Sequence, residues 1–166
     1  MALENSFIIE KLQSAFGDSI IKIEEQHGML SITADKNKNI DILKYLWDDT
    51  ELEFRFLTDL CGVHYPNTEL ELGVVYHLHS FRKNSRIRLK FFMPINNPNI
   101  QTATVMYAGA NWMERETFDF YGIIFDGHPN LKRILNMDEL TVYPMRKQYP
   151  LEDPNRVDKK DEFFGR

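Results

Sequence analysis

The chain has 166 residues, of which 43% are hydrophobic and 13% aromatic, and its formal net charge is -5 at pH 7. This length and composition are typical of one globular domain with a buried core, and they exclude an intrinsically disordered chain. The negative charge makes a nucleic acid an unsuitable partner, and the single cysteine, Cys61, excludes an internal disulfide and an iron-sulfur cluster held by thiolates of this chain.

The first half of the chain predicts two helices around a β-hairpin, followed by a third strand. Apolar residues recur at helical spacing from residue 7 to residue 16 after a possible cap at Asn5 or Ser6, and Gly17 ends the pattern. The stretches "SIIKIEE" and "MLSITAD" are typical of strands around a His27-Gly28 turn, and "NKNIDILKYLWDD" is typical of a helix. The stretch "LEFRFLTDL" predicts the third strand, and the turn-rich "CGVHYPNTE" predicts a loop after it.

Two stretches with strict alternation predict a second hairpin. In "ELELGVVYHLHSF" and "RIRLKFFMP", apolar residues alternate with polar ones, as in half-buried antiparallel strands joined by a turn at residues 82–85. A slip of one residue would turn every apolar group outward, so even positions of the first strand must pair with odd positions of the second. The polar face of this hairpin places carboxylates and histidines near a basic row, which predicts a solvated or partner-facing surface.

The composition changes near Pro129, because four of the seven prolines lie from there onward. Residues 141–166 show neither helical nor strand period but contain several aromatic residues, which is typical of a segment that gains order on binding. We therefore predict an α+β domain over residues 1–140, with a mostly antiparallel sheet and flanking helices. Residues 141–166 are predicted to form an extended partner-binding tail, whose removal should leave the domain folded.

The stretch "NWMERETFDFYG" places a cluster of charges beside aromatic rings. Asn111 and Glu114 have the spacing of a capping box, and Gly122 is a helix stop, so the stretch predicts a short helix. In this interpretation Glu114 accepts the cap and needs no chemical role. We therefore favour a structural, docking helix over a catalytic pair of carboxylates, which would need a cleft and a raised pKa.

One side of this predicted helix is polar. It holds Trp112, Arg115, Glu116 and Asp119. Arg115 and Asp119 have the spacing of an ion pair between successive helical turns. This side is therefore expected to face solvent or a partner.

Two other groups of residues are candidates for chemistry. His77 and His79 lie two residues apart on one strand face and could ligate zinc with a third ligand, but such pairs are more often ordinary surface histidines. Cys61 and His64 could form a nucleophile and a base, but neither a glycine elbow nor an orienting carboxylate accompanies them. No phosphate loop or dinucleotide fingerprint occurs. The sequence therefore predicts no catalytic, metal or cofactor-binding residues in this chain.

The run "ANWMERETFDFYGIIFDGHPNLKRIL", followed by "YPMRKQYPL", resembles the signature of the 30 kDa subunit family of respiratory complex I. The resemblance extends upstream through "DLCGVHYP" and "VVYHLHSFRKNSRIRLK" and covers most of residues 52–151. The chain differs from the family at Val142-Tyr143-Pro144, where Gly-His-Pro is frequent, and at Gln148, where an acidic residue is common.

The resemblance implies an α+β domain without cofactors in the hydrophilic arm of a proton-pumping NADH:quinone oxidoreductase. Its expected partners are the quinone-site subunit and the subunit that carries the terminal iron-sulfur cluster, with the membrane contacted only through the complex. Its expected place is the cytoplasmic side of the inner membrane. The residues that the resemblance assigns to partner contacts are Trp112, Arg115, Glu116, Asp119, His128, Tyr143, Arg146, Lys147 and Tyr149.

Two alternatives remain open from the sequence. One is the equivalent subunit of a membrane-bound hydrogenase or a related dehydrogenase, which shares the same architecture. The other is a stand-alone metal-dependent enzyme that uses His77, His79 and nearby carboxylates.

Overall fold

The computed structural model describes residues 3–149, and in this range it contains three α-helices and seven strands. The helices are α1 (Asn5–Phe16), α2 (Asn39–Asp48) and α3 (Ala110–Tyr121). The strands are β1 (Ile20–Gln26), β2 (Met29–Ala34), β3 (Phe56–His64), β4 (Leu72–Ser80), β5 (Ser85–Met93), β6 (Asn99–Gln101) and β7 (Ile124–Asp126). This is the α+β class that the sequence predicts, and none of these helices is long and apolar enough to cross a membrane.

Five strands form one sheet in the order β1-β2-β5-β4-β3. Neighbouring strands are antiparallel except β2 and β5, which run parallel, so the sheet is mixed but mostly antiparallel. β4 and β5 pair in the predicted register, with Val74 opposite Phe91 and Tyr76 opposite Leu89. This register is fixed by the core, because a slip of one residue would expose all four of these side chains.

All three helices pack on the same face of the five-stranded sheet. Leu12 of α1 and Leu46 of α2 are fully buried in one core with the apolar side chains of β2, β4 and β5. The Tyr121 ring of α3 lies against Gly62 of β3, in the space that a Cβ atom would occupy. Gly62 is opposite Val74, so it faces the same core. The described part of the chain is therefore two-layered, with helices on one sheet face only.

β3 continues beyond the predicted strand. The sequence predicts a loop from Cys61 onward, but the strand runs to His64 and pairs with β4. Gly62 is a turn signal in the sequence, whereas in the fold it makes room for the Tyr121 ring. The glycine therefore serves a close approach between a strand and a helix, which local sequence patterns do not distinguish from a turn.

The first hairpin and the first two helices are confirmed, with a change at the start of α1. Both Asn5 and Ser6 lie inside α1, and the residue before the helix is Glu4, whose side chain makes no cap hydrogen bond. At the predicted turn, His27 and Gly28 adopt left-handed φ angles of 53° and 72°. This backbone is the one that a two-residue hairpin turn requires.

Candidate partner-binding site

α3 carries most of the charged cluster, but it does not begin as predicted. Its N-cap is Gly109, and Asn111 lies inside the helix, so the predicted capping box of Asn111 and Glu114 is wrong. The Glu114 carboxylate instead accepts hydrogen bonds from the Thr102 hydroxyl (2.5 Å) and the Ala103 N–H (2.6 Å). Glu114 therefore ties the segment before α3 to the body of the helix.

Glu114 is fully buried beside His128. Burial raises the pKa of the Glu114 carboxyl to about 7, although its two hydrogen bonds act in the opposite direction. His128 Nδ1 accepts a hydrogen bond from the Asn130 N–H, so the ring proton is on Nε2, which donates to the Asn111 carbonyl (3.1 Å). His128 Nε2 lies 4.0 Å from the Glu114 carboxylate, and neither side chain is exposed. Both side chains therefore bond to groups of this chain.

Glu114→Gln is expected to change how stability depends on pH. The unfolded carboxyl has a pKa near 4.5 and the folded one near 7. Between these values the folded state holds the extra proton, so the free energy of unfolding of the native chain falls as pH rises. Urea unfolding from pH 4.5 to 8 should show a change of about 3 kcal/mol in the difference between native and variant chains.

Gln cannot titrate, so the variant lacks this fall in stability. The matched control is Glu116→Gln on the exposed side of the same helix. The control should follow the pH profile of the native chain. Parallel profiles for the native chain and Glu114→Gln would contradict an ionisation shift at Glu114.

Asp119 organises the loop that follows α3 and β7. Its buried carboxylate accepts hydrogen bonds from Arg133 and from the backbone N–H groups of residues 134–136, at 2.8 to 3.1 Å. Burial alone would raise the pKa of Asp119, but the hydrogen bonds outweigh it and hold the pKa well below its usual range. The predicted pairing of Asp119 with Arg115 is wrong, because Arg133 is the cation that binds this carboxylate.

The sequence predicts that Arg115 and Asp119 lie on an exposed side of α3, but both side chains are buried. Arg115 is 6% exposed, and its guanidinium lies over the Trp112 ring, 4.5 Å from the ring centre. Trp112 itself is 64% exposed, and Glu116 is also exposed. The helix therefore presents Trp112 and Glu116 outward, with Arg115 supporting the indole from below through a cation–π contact.

The last turn of α3 is closed by the segment around residue 145. Gly122 has a left-handed φ of 72° and ends the helix as predicted. The Met145 N–H donates to the Phe120 carbonyl (3.2 Å), and Arg146 Nε donates to the Tyr121 carbonyl (2.8 Å). The positive charge of a guanidinium at this end is also stabilising, because the C-terminal end of a helix carries a partial negative charge. Carbonyls that the helix leaves without partners are thus satisfied by a distant part of the chain.

Tyr143 is packed between two arginines and a glycine. Its ring occupies the space where a Cβ atom on Gly122 would lie. The guanidinium of Arg146 lies 4.6 Å from the ring centre, and that of Arg133 lies 5.3 Å from it. Tyr143 therefore joins the C-terminal end of α3 to the loop that Asp119 anchors.

His64 joins the same segment to the end of β3. His64 Nδ1 accepts from the Lys147 N–H (2.9 Å), so Nε2 carries the proton toward Glu71 (3.2 Å). Both ring nitrogens are therefore engaged, and His64 is not placed to act as a base for Cys61. Burial raises the pKa of the Cys61 thiol, which disfavours the reactive thiolate.

Residues 141–149 contact the domain. The sequence predicts instead that this segment becomes ordered mainly when it binds a partner. The contacts of Tyr143, Met145, Arg146 and Lys147 described above all reach α3 or β3. Residues 150–166 lie outside the described residues. The division of the chain at residue 140 and the partner-binding role of the tail beyond residue 149 stay predictions.

The nine residues assigned to partner contacts fall into three groups. Exposed side chains are Trp112, Glu116, Lys147 and Tyr149. The half-buried ones, Tyr143 and Arg146, hold the segment against α3. The side chains of Arg115, Asp119 and His128 are buried. The partner contacts assigned to the nine residues stay predictions.

Three large apolar side chains add to this site a surface that the sequence alone does not indicate. Leu135, Met137 and Met145 are 65%, 69% and 50% exposed. The sequence contains one signal for this surface. Apolar residues in a proline-rich stretch that has neither helical nor strand periodicity belong to no buried face of a helix or strand. We call Trp112, Glu116, Leu135, Met137, Met145 and Tyr149 the α3 surface.

The histidine pair does not form a metal site in the described part of the chain. His77 lies opposite Asp59, and His79 stacks on Phe81 with ring centres 4.4 Å apart. Residues 3–149 contain no group of three or more His, Cys, Asp or Glu side chains that could hold a metal ion. Burial lowers the pKa of both histidines, with Arg88 and Arg86 acting in the same direction.

The family model for the 30 Kd subunit of respiratory-chain NADH dehydrogenase matches residues 32–155. The chain belongs to this family. It is 45% identical to the C subunit of the NADH-quinone oxidoreductase of Roseiflexus sp. (strain RS-1), over 91% of this chain and 87% of the relative. It is 39% identical to the protein of the same name from Citrifermentans bemidjiense, over 92% of this chain and 94% of the relative. The resemblance inferred from the signature is confirmed.

Two solved structures share the fold. A trypsin-resistant fragment (1-134) of Nqo5 superposes with a TM-score of 0.64 and 26% identity, over 75% of this chain and 98% of the fragment. A chain of the membrane-bound sulfane sulfur reductase, an archaeal respiratory membrane complex, superposes with a TM-score of 0.74 over 88% of this chain and 85% of that chain. The second pair is 20% identical, so that likeness concerns the fold alone.

Proposed function

We propose that this chain is a non-catalytic peripheral-arm subunit of a proton-translocating NADH:quinone oxidoreductase. It supports assembly of the quinone-reducing module on the cytoplasmic side of the membrane. Its partners are the quinone-site subunit and the terminal iron-sulfur subunit. The NADH-quinone oxidoreductase relatives at 39% to 45% identity support membership in such a complex, and the geometry of the α3 surface supports the docking role.

The observation that carries the proposal is a rigidly held loop with apolar side chains turned outward. Asp119 binds Arg133 and three consecutive N–H groups, yet the same loop leaves Leu135 and Met137 more than half exposed. Exposed apolar side chains on a firmly anchored loop are typical of a protein-binding surface.

The contacts behind the surface lower the cost of docking. Tyr143 is fixed between Arg133 and Arg146, and the Met145 N–H is bonded to α3. Because these groups are already ordered, little conformational entropy is lost when a partner covers them. The buried charges of the signature thus have a positioning role.

The environments of the signature carboxylates support a structural role over catalysis. Asp119 is surrounded by donors of the loop at residues 133–136, and Glu114 is bonded to the segment before α3. Neither carboxylate has an exposed surface on which a substrate could lie. The exposed Glu116 is available for a cation of a partner.

The proposal is tested by complementing a strain that lacks the subunit with Leu135→Glu plus Met137→Glu. Both side chains are exposed, so the variant should unfold at the midpoint of the native chain. Charged groups in a desolvated interface carry a large penalty, so we expect loss of the variant chain from the membrane complex and loss of quinone reductase activity.

The matched control is Val105→Glu, which adds a charge at an apolar side chain that is 71% exposed in the loop before α3. This control should retain both incorporation and activity. Full activity of the double variant, with the variant chain present in membranes, would contradict the proposed docking role.

A further inference from the structure

The sheet face that points away from the helices carries a row of polar side chains across all five strands. Consecutive partners along this row are Glu24, Ser31, Arg88, His77 and Asp59. The alternation of β5 puts Arg86 and Lys90 on the same face as Arg88. We call this the outer sheet face, and in the described part of the chain no helix packs on it.

The charge of the outer sheet face is opposite to that of the whole protein. Within the described sheet, this face carries four cations, Lys22, Arg86, Arg88 and Lys90, and two carboxylates, Glu24 and Asp59. Glu24 lies 2.9 Å from Lys22 and 3.9 Å from Lys90, so one carboxylate is shared by two cations and the face keeps a positive excess. The chain as a whole carries a formal charge of -5. A locally positive face on an acidic protein attracts a partner segment of negative charge.

The central cation of this face is incompletely satisfied. Arg88 Nη1 lies 3.5 Å from the Ser31 hydroxyl, at the limit of a hydrogen bond. Arg88 Nε is buried and has no hydrogen-bond partner among the described residues. A guanidinium offers five donors in a planar fork that fits a carboxylate, and Arg88 is only half-buried, so an incoming acid can bind the Nη donors that Ser31 does not satisfy.

An apolar groove of about 350 Å³ continues the cation row at one end of the outer sheet face. Its floor is the Phe92 ring, which lies over Gly73 in the space where a Cβ atom would be. Tyr65 and Ile21 form its walls and are 51% and 62% exposed. Thr33 lines the groove and is paired with Lys90, so the groove and the cation row are continuous.

We propose that the outer sheet face is a second docking surface, which binds an acidic segment of another subunit with a bulky apolar side chain in the groove. The acids of that segment lie along Arg86, Arg88 and Lys90. The groove receives the apolar side chain next to Phe92. The cations and the groove that bind this segment share no residue with the α3 surface, so the chain has two docking surfaces.

The first test places a photo-reactive benzoylphenylalanine at Ile21 or, separately, at Leu135 in the complete complex. Cross-linked peptides are identified by mass spectrometry. We expect Ile21 to cross-link to an acidic segment of another subunit, while Leu135 reports on the α3 surface. A cross-link at Leu135 without one at Ile21 overturns this inference and leaves the proposed function intact; no cross-link at either position removes both.

Other cross-links from Ile21 also decide the question. A cross-link to a second copy of this chain, to residues 150–166 of the same chain, or to a segment without excess acids overturns the inference. Each of these outcomes identifies a different occupant of the groove.

The second test measures the charge contribution with Arg88→Gln plus Lys90→Gln. We expect the NaCl concentration that releases half of the variant chain from the complex to fall at least about twofold, because fewer cations face the acids. The control is Lys38→Gln plus Lys44→Gln, which removes the same charge from α2 and the turn before it, where both lysine side chains are exposed. Equal release of the two double variants overturns the inference, and unfolding midpoints exclude a folding defect.

Discussion

Asp119→Asn is expected to lower the free energy of unfolding by about 4 kcal/mol, because it removes one partner of a buried ion pair. Arg133, whose side chain is 11% exposed, would lose its carboxylate. In either orientation the new amide N–H₂ would face donors, either the backbone N–H groups of residues 134–136 or Arg133. Leaving buried donors without acceptors adds to the loss. Urea unfolding at pH 7 measures the effect.

The control for this prediction is Asp138→Asn, an exposed acid in the same loop. It should change stability by less than about 0.5 kcal/mol. The carboxylate of Asp119 has a lowered pKa, so its contribution is fully present above the unfolded pKa near 4 and is lost as pH falls through the lower folded pKa. The difference in stability between the native chain and the Asp119→Asn variant should therefore stay constant from pH 5 to 8 and decrease only in strong acid.

In Asp119→Asn, the loop at residues 133–136 should also lose its fixed position. The same substitution should therefore affect both stability and the α3 surface. Leu135 is exposed in a fixed place because its N–H is bonded to Asp119 (2.8 Å). If Asp119→Asn unfolded like the native chain, Asp119 could not be the anchor of this loop. In that case the proposed rigidity of the α3 surface would have no structural basis.

The sheet is predictable because its signal is periodic and local. Strict alternation in β4 and β5 predicts both the strands and their register, and Val74 pairs with Phe91 accordingly. The parallel pairing of β2 with β5 is not predictable in the same way. No local sequence pattern indicates which distant strand pairs with the free side of the β4–β5 hairpin. In the fold, β2 lies parallel beside β5, and both share one core with α1 and α2.

The site is predictable in its location but not in its contacts. The charge pattern predicts the helix, but helix spacing assigns Glu114 to Asn111 three residues away, whereas its partners are Thr102 and Ala103. The same spacing rule pairs Arg115 with Asp119. Rules of helix spacing describe only neighbours in sequence, and the carboxylates here bind segments that the tertiary fold brings back to α3.

Truncation after residue 140 is expected to destabilise the domain strongly, although composition alone predicts little change. The deletion removes Tyr143 from its place on Gly122 and leaves the Phe120 and Tyr121 carbonyls without donors. Loss of the buried aromatic surface and of these hydrogen bonds should lower the free energy of unfolding by about 4 kcal/mol. The measurement is urea unfolding of the purified chain beside its truncated forms.

Truncation after residue 149 separates the two roles of the C-terminal segment. This shorter deletion keeps the contacts of Tyr143, Met145 and Arg146 with α3 and Gly122 that are described above, so we expect the unfolding midpoint of the native chain. If residues 150–166 bind a partner, the shorter deletion should still weaken incorporation into the oxidoreductase in a complementation assay. Equal stability of all three chains would contradict the packing role of residues 141–149, because α3 would then keep its C-terminal end without them.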